Sequence, residues 1–167
     1  LDDMKRWSEG GEAPPAPSAS SVFSLSDGRK VKVFKDEDGV ANAVCEEFAA
    51  TGRAAILSKG SFSVCLPGGS IVAALKKLPK DALDWSKVHI FFCNERIGEG
   101  KCYAGAVKNL IDPCGIPASN VYKVGEGFPE AVADQYNKLV RSTLGTTGKL
   151  PSFDLVMLGT GDDGHVA

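Results

Sequence analysis

The sequence predicts an open, mainly parallel, Rossmann-like α/β sheet flanked by helices and truncated at its C-terminus. Apolar strand-like runs alternate with stretches of helical period, the pattern of successive strand–helix units. Three of those runs end in polar or glycine-rich turns, which a parallel sheet gathers along one edge, where ligands bind. The last run, Phe153 to Leu158, opens into Gly159-Thr160-Gly161-Asp162-Asp163-Gly164-His165, and Ala167 follows two residues later. The expectation is a domain of which this chain is the N-terminal part.

Composition bounds the function. With 167 residues, 43% of them hydrophobic and 24% charged, the chain suits one soluble globular domain with a substantial core. A net charge of −2 offers no electrostatic footprint for nucleic acid or an anionic membrane. No apolar stretch approaches the roughly 20 residues that span a bilayer. The five cysteines, at 45, 65, 93, 102 and 114, form no C-x-x-C pair and no metal-ligand spacing. They read as reduced thiols of an intracellular protein, cytoplasmic or plastid. Neither metal nor cofactor is expected.

The elements follow in order. Residues 1–21 read as a flexible linker or processed N-terminal extension, because the Gly, Pro, Ser and Ala that fill 9–21 build no packed element. This segment is a targeting remnant or a tether, and its acidic residues weaken the transit-peptide reading. The domain proper then covers 22–167. Asp27-Gly28, between Val22–Leu25 and Lys30–Phe34, predicts a hairpin. Asp36 offers an N-cap for a helix to about Ser58, with Val40, Val44 and Phe48 on one face. Gly52 interrupts that pattern and marks a break between two helical pieces.

Ser61–Leu66 predicts the first sheet strand, Pro67-Gly68-Gly69-Ser70 its turn, and Ile71–Leu75 the helix after it. Val88–Cys93 predicts the second strand, with Asn94-Glu95-Arg96 at its carboxyl end, then a helix over Tyr103–Ile111. Asn120–Val124 reads as a third strand. Pro129 opens a helix with Val132, Tyr136, Leu139 and Val140 on one face, and Phe153–Leu158 closes the series.

Gly159 to Gly164 matches G-x-G-x-x-G literally. The dinucleotide fingerprint also needs a following helix and an acidic residue about 20 positions on, and Asp162 and Asp163 would meet a pyrophosphate with like charge. The nucleotide reading is set aside. Gly68, Gly69 and Ser70 put unobstructed backbone N–H groups and a hydroxyl at a helix start, which suits a phosphate. The same residues equally suit a tight turn capped by Ser70. Arg96, just after a strand, offers a bidentate partner for phosphate or carboxylate, or pairs with a neighbouring acid. Glu95 reads as a structural partner. His165 is a general base near neutral pH, oriented by Asp162 or Asp163, or else a structural hydrogen-bonding residue. His89, mid-strand among apolar residues, reads as packing.

Leu66–Ser70, Phe92–Arg96 and Phe153–His165, in this order and spacing, resemble the 6-phosphogluconolactonase family from about Lys30 to Ala167. The related glucosamine-6-phosphate deaminases share the GGS-like and DGH-like loops but usually carry Tyr where this chain has Arg96. The resemblance implies hydrolysis of 6-phosphogluconolactone to 6-phosphogluconate in the oxidative pentose phosphate pathway, without metal or cofactor. It implies that Gly68, Gly69, Ser70 and Arg96 hold a sugar phosphate, that His165 activates water, and that Asp162, Asp163, Gly164 and Glu95 support them. Asn94 stands where the family usually has Asp, Pro67 where it has Ser, and the segment 97–103 is shorter than the family's loop. The family also continues well beyond the loop of His165. Two alternatives follow: a catalytically degenerate structural subunit whose partner covers the incomplete sheet, and a sugar-phosphate isomerase or deaminase.

Overall fold

Asp27-Gly28 turns a short antiparallel hairpin, with β1 (Ser21–Ser24) against β2 (Lys30–Val33). The computed structural model describes residues 19–145 and 150–166. Residues 1–18 of the expected linker lie outside the described residues, and Ser21 already belongs to β1. Helix α1 (Glu37–Lys59) comes next, capped by Asp36, whose carboxylate accepts from the Gly39 N–H at 2.8 Å. Glu37 and Asp38 in its first turn and Lys59 in its last complement the helix dipole.

Gly52 does not break this helix. The helix runs on through it, and a Cβ at that position would lie 2.7 Å from Leu83 Cδ1 and 3.0 Å from Phe62 Cδ1. The glycine lets the helix approach the sheet, so tertiary contact overrides its poor helical propensity.

Three parallel strands make the sheet: β3 (Phe62–Leu66), β4 (Val88–Phe92) and β5 (Leu155–Val156), in the spatial order β4-β3-β5. Side chains alternate between the faces along each strand. Phe62, Val64, Leu66, Val88, Ile90 and Phe92 join one core with α1, the short helix α2 (Ser70–Ala74) and α3 (Lys101–Ala106). Phe48 of α1 meets Phe62 edge-on at 5.3 Å. Cys65 and Phe91 point to the other face, where Val140 and Tyr136 of α4 (Pro129–Thr143) cluster with them. Burial on both faces is what a parallel sheet requires.

The segment Asn120–Val124 is not a regular strand. Ala118–Asn120 forms a 3₁₀ turn, and only Val121 bridges Ile90 in parallel. The cause is Tyr136, whose hydroxyl accepts from the Phe92 N–H at 2.8 Å and donates to the Tyr122 carbonyl at 3.1 Å. It takes up the two groups that a continued ladder would join. Burial pushes this phenol well above its ordinary pKa, so it stays protonated and able to donate.

The last expected strand is regular only over Leu155–Val156. Its entry is fixed by Asp154, whose Oδ2 accepts from both the N–H and the hydroxyl of Ser63, at 2.7 and 2.8 Å. Lys59 Nζ lies 2.9 Å from Oδ1. Along the chain the sheet grows from β3 to β4 and then returns to the opposite side of β3 for β5. A reversal of this kind opens a crevice at the carboxyl ends of the strands. Among the described residues no helix is long and apolar enough to cross a membrane.

Asp154 supplies the first testable consequence. Burial alone would push its carboxyl up, but the hydrogen bonds from Lys59 and Ser63 outweigh it and hold the pKa below the ordinary value. A carboxyl depressed in the folded state contributes stability above its unfolded pKa, near 3.9, and loses it as pH falls through the folded value. Asp154→Ala, which strands the Ser63 N–H and hydroxyl, is expected to cost about 2 to 4 kcal/mol in denaturant unfolding at pH 7. The difference from the parent protein is expected to shrink as pH is lowered below about 4.

Candidate functional site

The loops leaving β3, β4 and β5 enclose a cleft of about 390 Å³ at the reversal of the sheet. Gly68, Gly69 and Ser70 line it from β3, Glu95 and Arg96 from β4, and Gly159, Thr160, Gly161 and His165 from β5. Residues 68 to 165, nearly a hundred positions apart in sequence, share one wall because the three strands run parallel and in register.

Gly69 is the pivot of the first loop. It has φ 77° and ψ −151°, a region essentially closed to other residues, and it turns the chain directly from β3 into α2. No side chain caps that helix start. The backbone N–H groups at Ser70 and Ile71 therefore remain available to an anion in the cleft.

The second loop is organised by Glu95. Its Oε1 accepts from the N–H groups of Arg96 at 2.9 Å and Cys102 at 3.2 Å, and its Oε2 accepts from Tyr103 at 2.8 Å. One half-buried carboxylate thus ties the end of β4 to the first turn of α3, where the helix dipole favours negative charge. Arg96 stays 75% exposed, 3.8 Å from Glu99, with its guanidinium beside the cleft.

The third loop carries the histidine. It closes on itself through the Gly161 N–H to the His165 carbonyl at 2.9 Å and the Gly164 N–H to the Gly161 carbonyl at 2.9 Å. His165 Nδ1 is hydrogen bonded to Asp163 Oδ1, and that contact, first among its causes, lowers the Asp163 pKa. The imidazole lies across Gly161, where an added Cβ would fall on the ring. Among the described residues, the other ring nitrogen, Nε2, has no hydrogen-bond partner.

Of the residues singled out in the sequence, Gly68, Gly69, Ser70, Glu95, Arg96 and His165 come together around the cleft. Asp163 contacts His165 but does not line the cleft, and the exposed Asp162 and Gly164 do not line it either. Other residues that line the cleft, among them Ile71, Lys101, Cys102 and Thr160, were given no role from the sequence. The signal for Lys101 was present in Gly98-Glu99-Gly100, a turn composition that folds the chain back toward Arg96. Among the described residues no group of three or more His, Cys, Asp or Glu side chains has a metal-binding arrangement.

Residues 35–167 match the family model described as glucosamine-6-phosphate isomerases/6-phosphogluconolactonase. A rice (Oryza sativa) protein named "Probable 6-phosphogluconolactonase 3, chloroplastic" is 32% identical over 152 residues, covering 81% of this chain and 46% of the relative. The Arabidopsis thaliana protein named 6-phosphogluconolactonase 3, chloroplastic, is 29% identical over 166 residues, 89% of this chain and 51% of the relative. The crystal structure of 6-phosphogluconolactonase from Thermotoga maritima superposes with a TM-score of 0.66 at 29% identity, covering 79% of this chain and 61% of that one. The chain spans about half the length of the curated relatives it matches.

The loop architecture predicts a local outcome. Glu95→Ala removes the acceptor of three amides, and hydrogen exchange at Arg96, Cys102 and Tyr103 is expected to accelerate by about tenfold or more. Amides of β3, which do not depend on Glu95, are expected to keep their protection.

Proposed function

The chain belongs to the glucosamine-6-phosphate isomerase/6-phosphogluconolactonase family, and from that premise we propose that it hydrolyses 6-phosphogluconolactone to 6-phosphogluconate, the lactonase step of the oxidative pentose phosphate pathway. The observation that carries the proposal is the His165–Asp163 pair on the same cleft as the Gly68-Gly69-Ser70 turn and Arg96. A base and an anion-binding loop within one cleft suit an ester whose far end is a phosphate.

The chemistry follows from those groups. The Ser70 and Ile71 amides and the Arg96 guanidinium hold the phosphate and so fix the lactone ring across the cleft. His165 Nε2 accepts a proton from water as the oxygen attacks the lactone carbonyl. Asp163, hydrogen bonded to Nδ1, sets the tautomer and stabilises the imidazolium that forms. Backbone N–H groups of the glycine loops face the developing oxyanion. Collapse of the tetrahedral intermediate breaks the ring C–O bond, and His165 returns its proton to the departing ring oxygen, giving the open acid and the original base.

Asn94 weighs against the deaminase and isomerase reading, since that chemistry needs a carboxylate where this chain has an amide. A second reading, a catalytically degenerate structural subunit, is favoured by Asn94. We place the protein in the cytosol or plastid, consistent with its free thiols and with the chloroplast forms among its relatives.

The whole protein is expected to accelerate lactone hydrolysis above the spontaneous rate, measured by continuous proton release. His165→Ala is expected to lower kcat by about a hundredfold or more. Gly161→Ala, which displaces the imidazole without removing it, is expected to fall in the same direction with unchanged thermal stability. Turnover by the parent protein no faster than the spontaneous reaction would leave the structural-subunit reading.

A further inference from the structure

Arg96 is followed by a tight return. The N–H groups of Glu99 and Gly100 both donate to the Arg96 carbonyl, at 3.0 and 3.3 Å, and Gly98 and Gly100 sit at φ 82° and 58°. That turn brings Lys101 back beside Arg96 on the cleft wall and leaves Glu99 between them. One oxygen, Glu99 Oε2, lies 2.6 Å from Lys101 Nζ and 3.8 Å from Arg96 Nη1. A single carboxylate thus collects both cations beside the cleft.

The three side chains are 70%, 75% and 43% exposed for Lys101, Arg96 and Glu99. Ion pairs so open to water hold their partners weakly. A phosphate dianion carries twice the charge of a carboxylate and offers three acceptor oxygens, so it competes well for both cations. We infer that Lys101 is a second cation for the substrate's phosphate and that Glu99 is an internal stand-in, pairing with Arg96 and Lys101 and yielding them when the dianion arrives. This rests on the lactonase reading only for the identity of the substrate. The anion site itself stands on the geometry of the turn.

Two substitutions in the whole protein, Lys101→Met and Glu99→Gln, test the inference with two probes, inorganic phosphate as ligand or inhibitor and 6-phosphogluconolactone as substrate. Lys101→Met is expected to weaken phosphate binding about five- to tenfold and to raise KM similarly, with the loss falling on KM more than on kcat. Glu99→Gln removes the competitor and is expected to tighten phosphate binding about two- to threefold. In the double variant the gain from Glu99→Gln is expected to diminish, because one of the cations it frees is gone. Phosphate affinity within twofold of the parent in Lys101→Met, or weaker binding in Glu99→Gln, would overturn the inference. A parent protein that binds phosphate in this Lys101-dependent way but turns over no lactone would retain the inference and discard the lactonase reading.

Discussion

Asp154 stands at the entry of β5, where its carboxylate takes two hydrogen bonds from Ser63 on β3 and an ion pair from Lys59 at the end of α1. The β-ladder it anchors is short, with Val64 opposite Leu155 and Cys65 opposite Val156. Two residue pairs are too few to fix a register by themselves, and a one-residue slip would turn every side chain of β5 to the other face. Ser63 is the buried polar residue of the described core, so its N–H and hydroxyl require this acceptor. The register of β5 sets where Gly159–His165 emerges, and with it the distance between the histidine and the other two loops.

The opposite border of the sheet is set in a different way. Tyr136 reaches from α4 to the Phe92 N–H and the Tyr122 carbonyl, so the chain beyond β4 is held through a side chain rather than by a full ladder. The end of β4 is thereby fixed just before Asn94-Glu95-Arg96, and Glu95 carries the constraint into α3 through three backbone donors. The β4 and β5 walls of the cleft are therefore each anchored by a carboxylate, Glu95 on backbone N–H groups and Asp154 on Ser63 and Lys59. The cations and the histidine are left exposed on top, free to meet a ligand.

This division explains which residues could be read in advance. The Gly68-Gly69-Ser70 turn, Arg96 and His165 were legible because strand ends, glycine turns and titratable side chains are local signals that survive without knowledge of the fold. Lys101 was not assigned, because the Gly98-Glu99-Gly100 signal marks a turn without showing that it closes on Arg96 or that Glu99 is shared between the two cations. Gly52 misled for the same reason: the contact that requires it, with Leu83 and Phe62, lies in other parts of the chain.

The sequence by itself determined the α/β class, the hairpin at Asp27-Gly28, the cap at Asp36, the strands it placed at 61–66 and 88–93 (observed at 62–66 and 88–92) and the family likeness, because period, capping and turn chemistry act over a few residues. Tertiary structure alone decided that 120–124 would not be a regular strand, that β5 would pair beside β3 rather than β4, and that Asp163 rather than Asp162 would hold His165. Those outcomes turn on hydrogen-bond partners brought from elsewhere, or on which of two adjacent carboxylates a closed loop aims at the ring. Local propensity does not encode either.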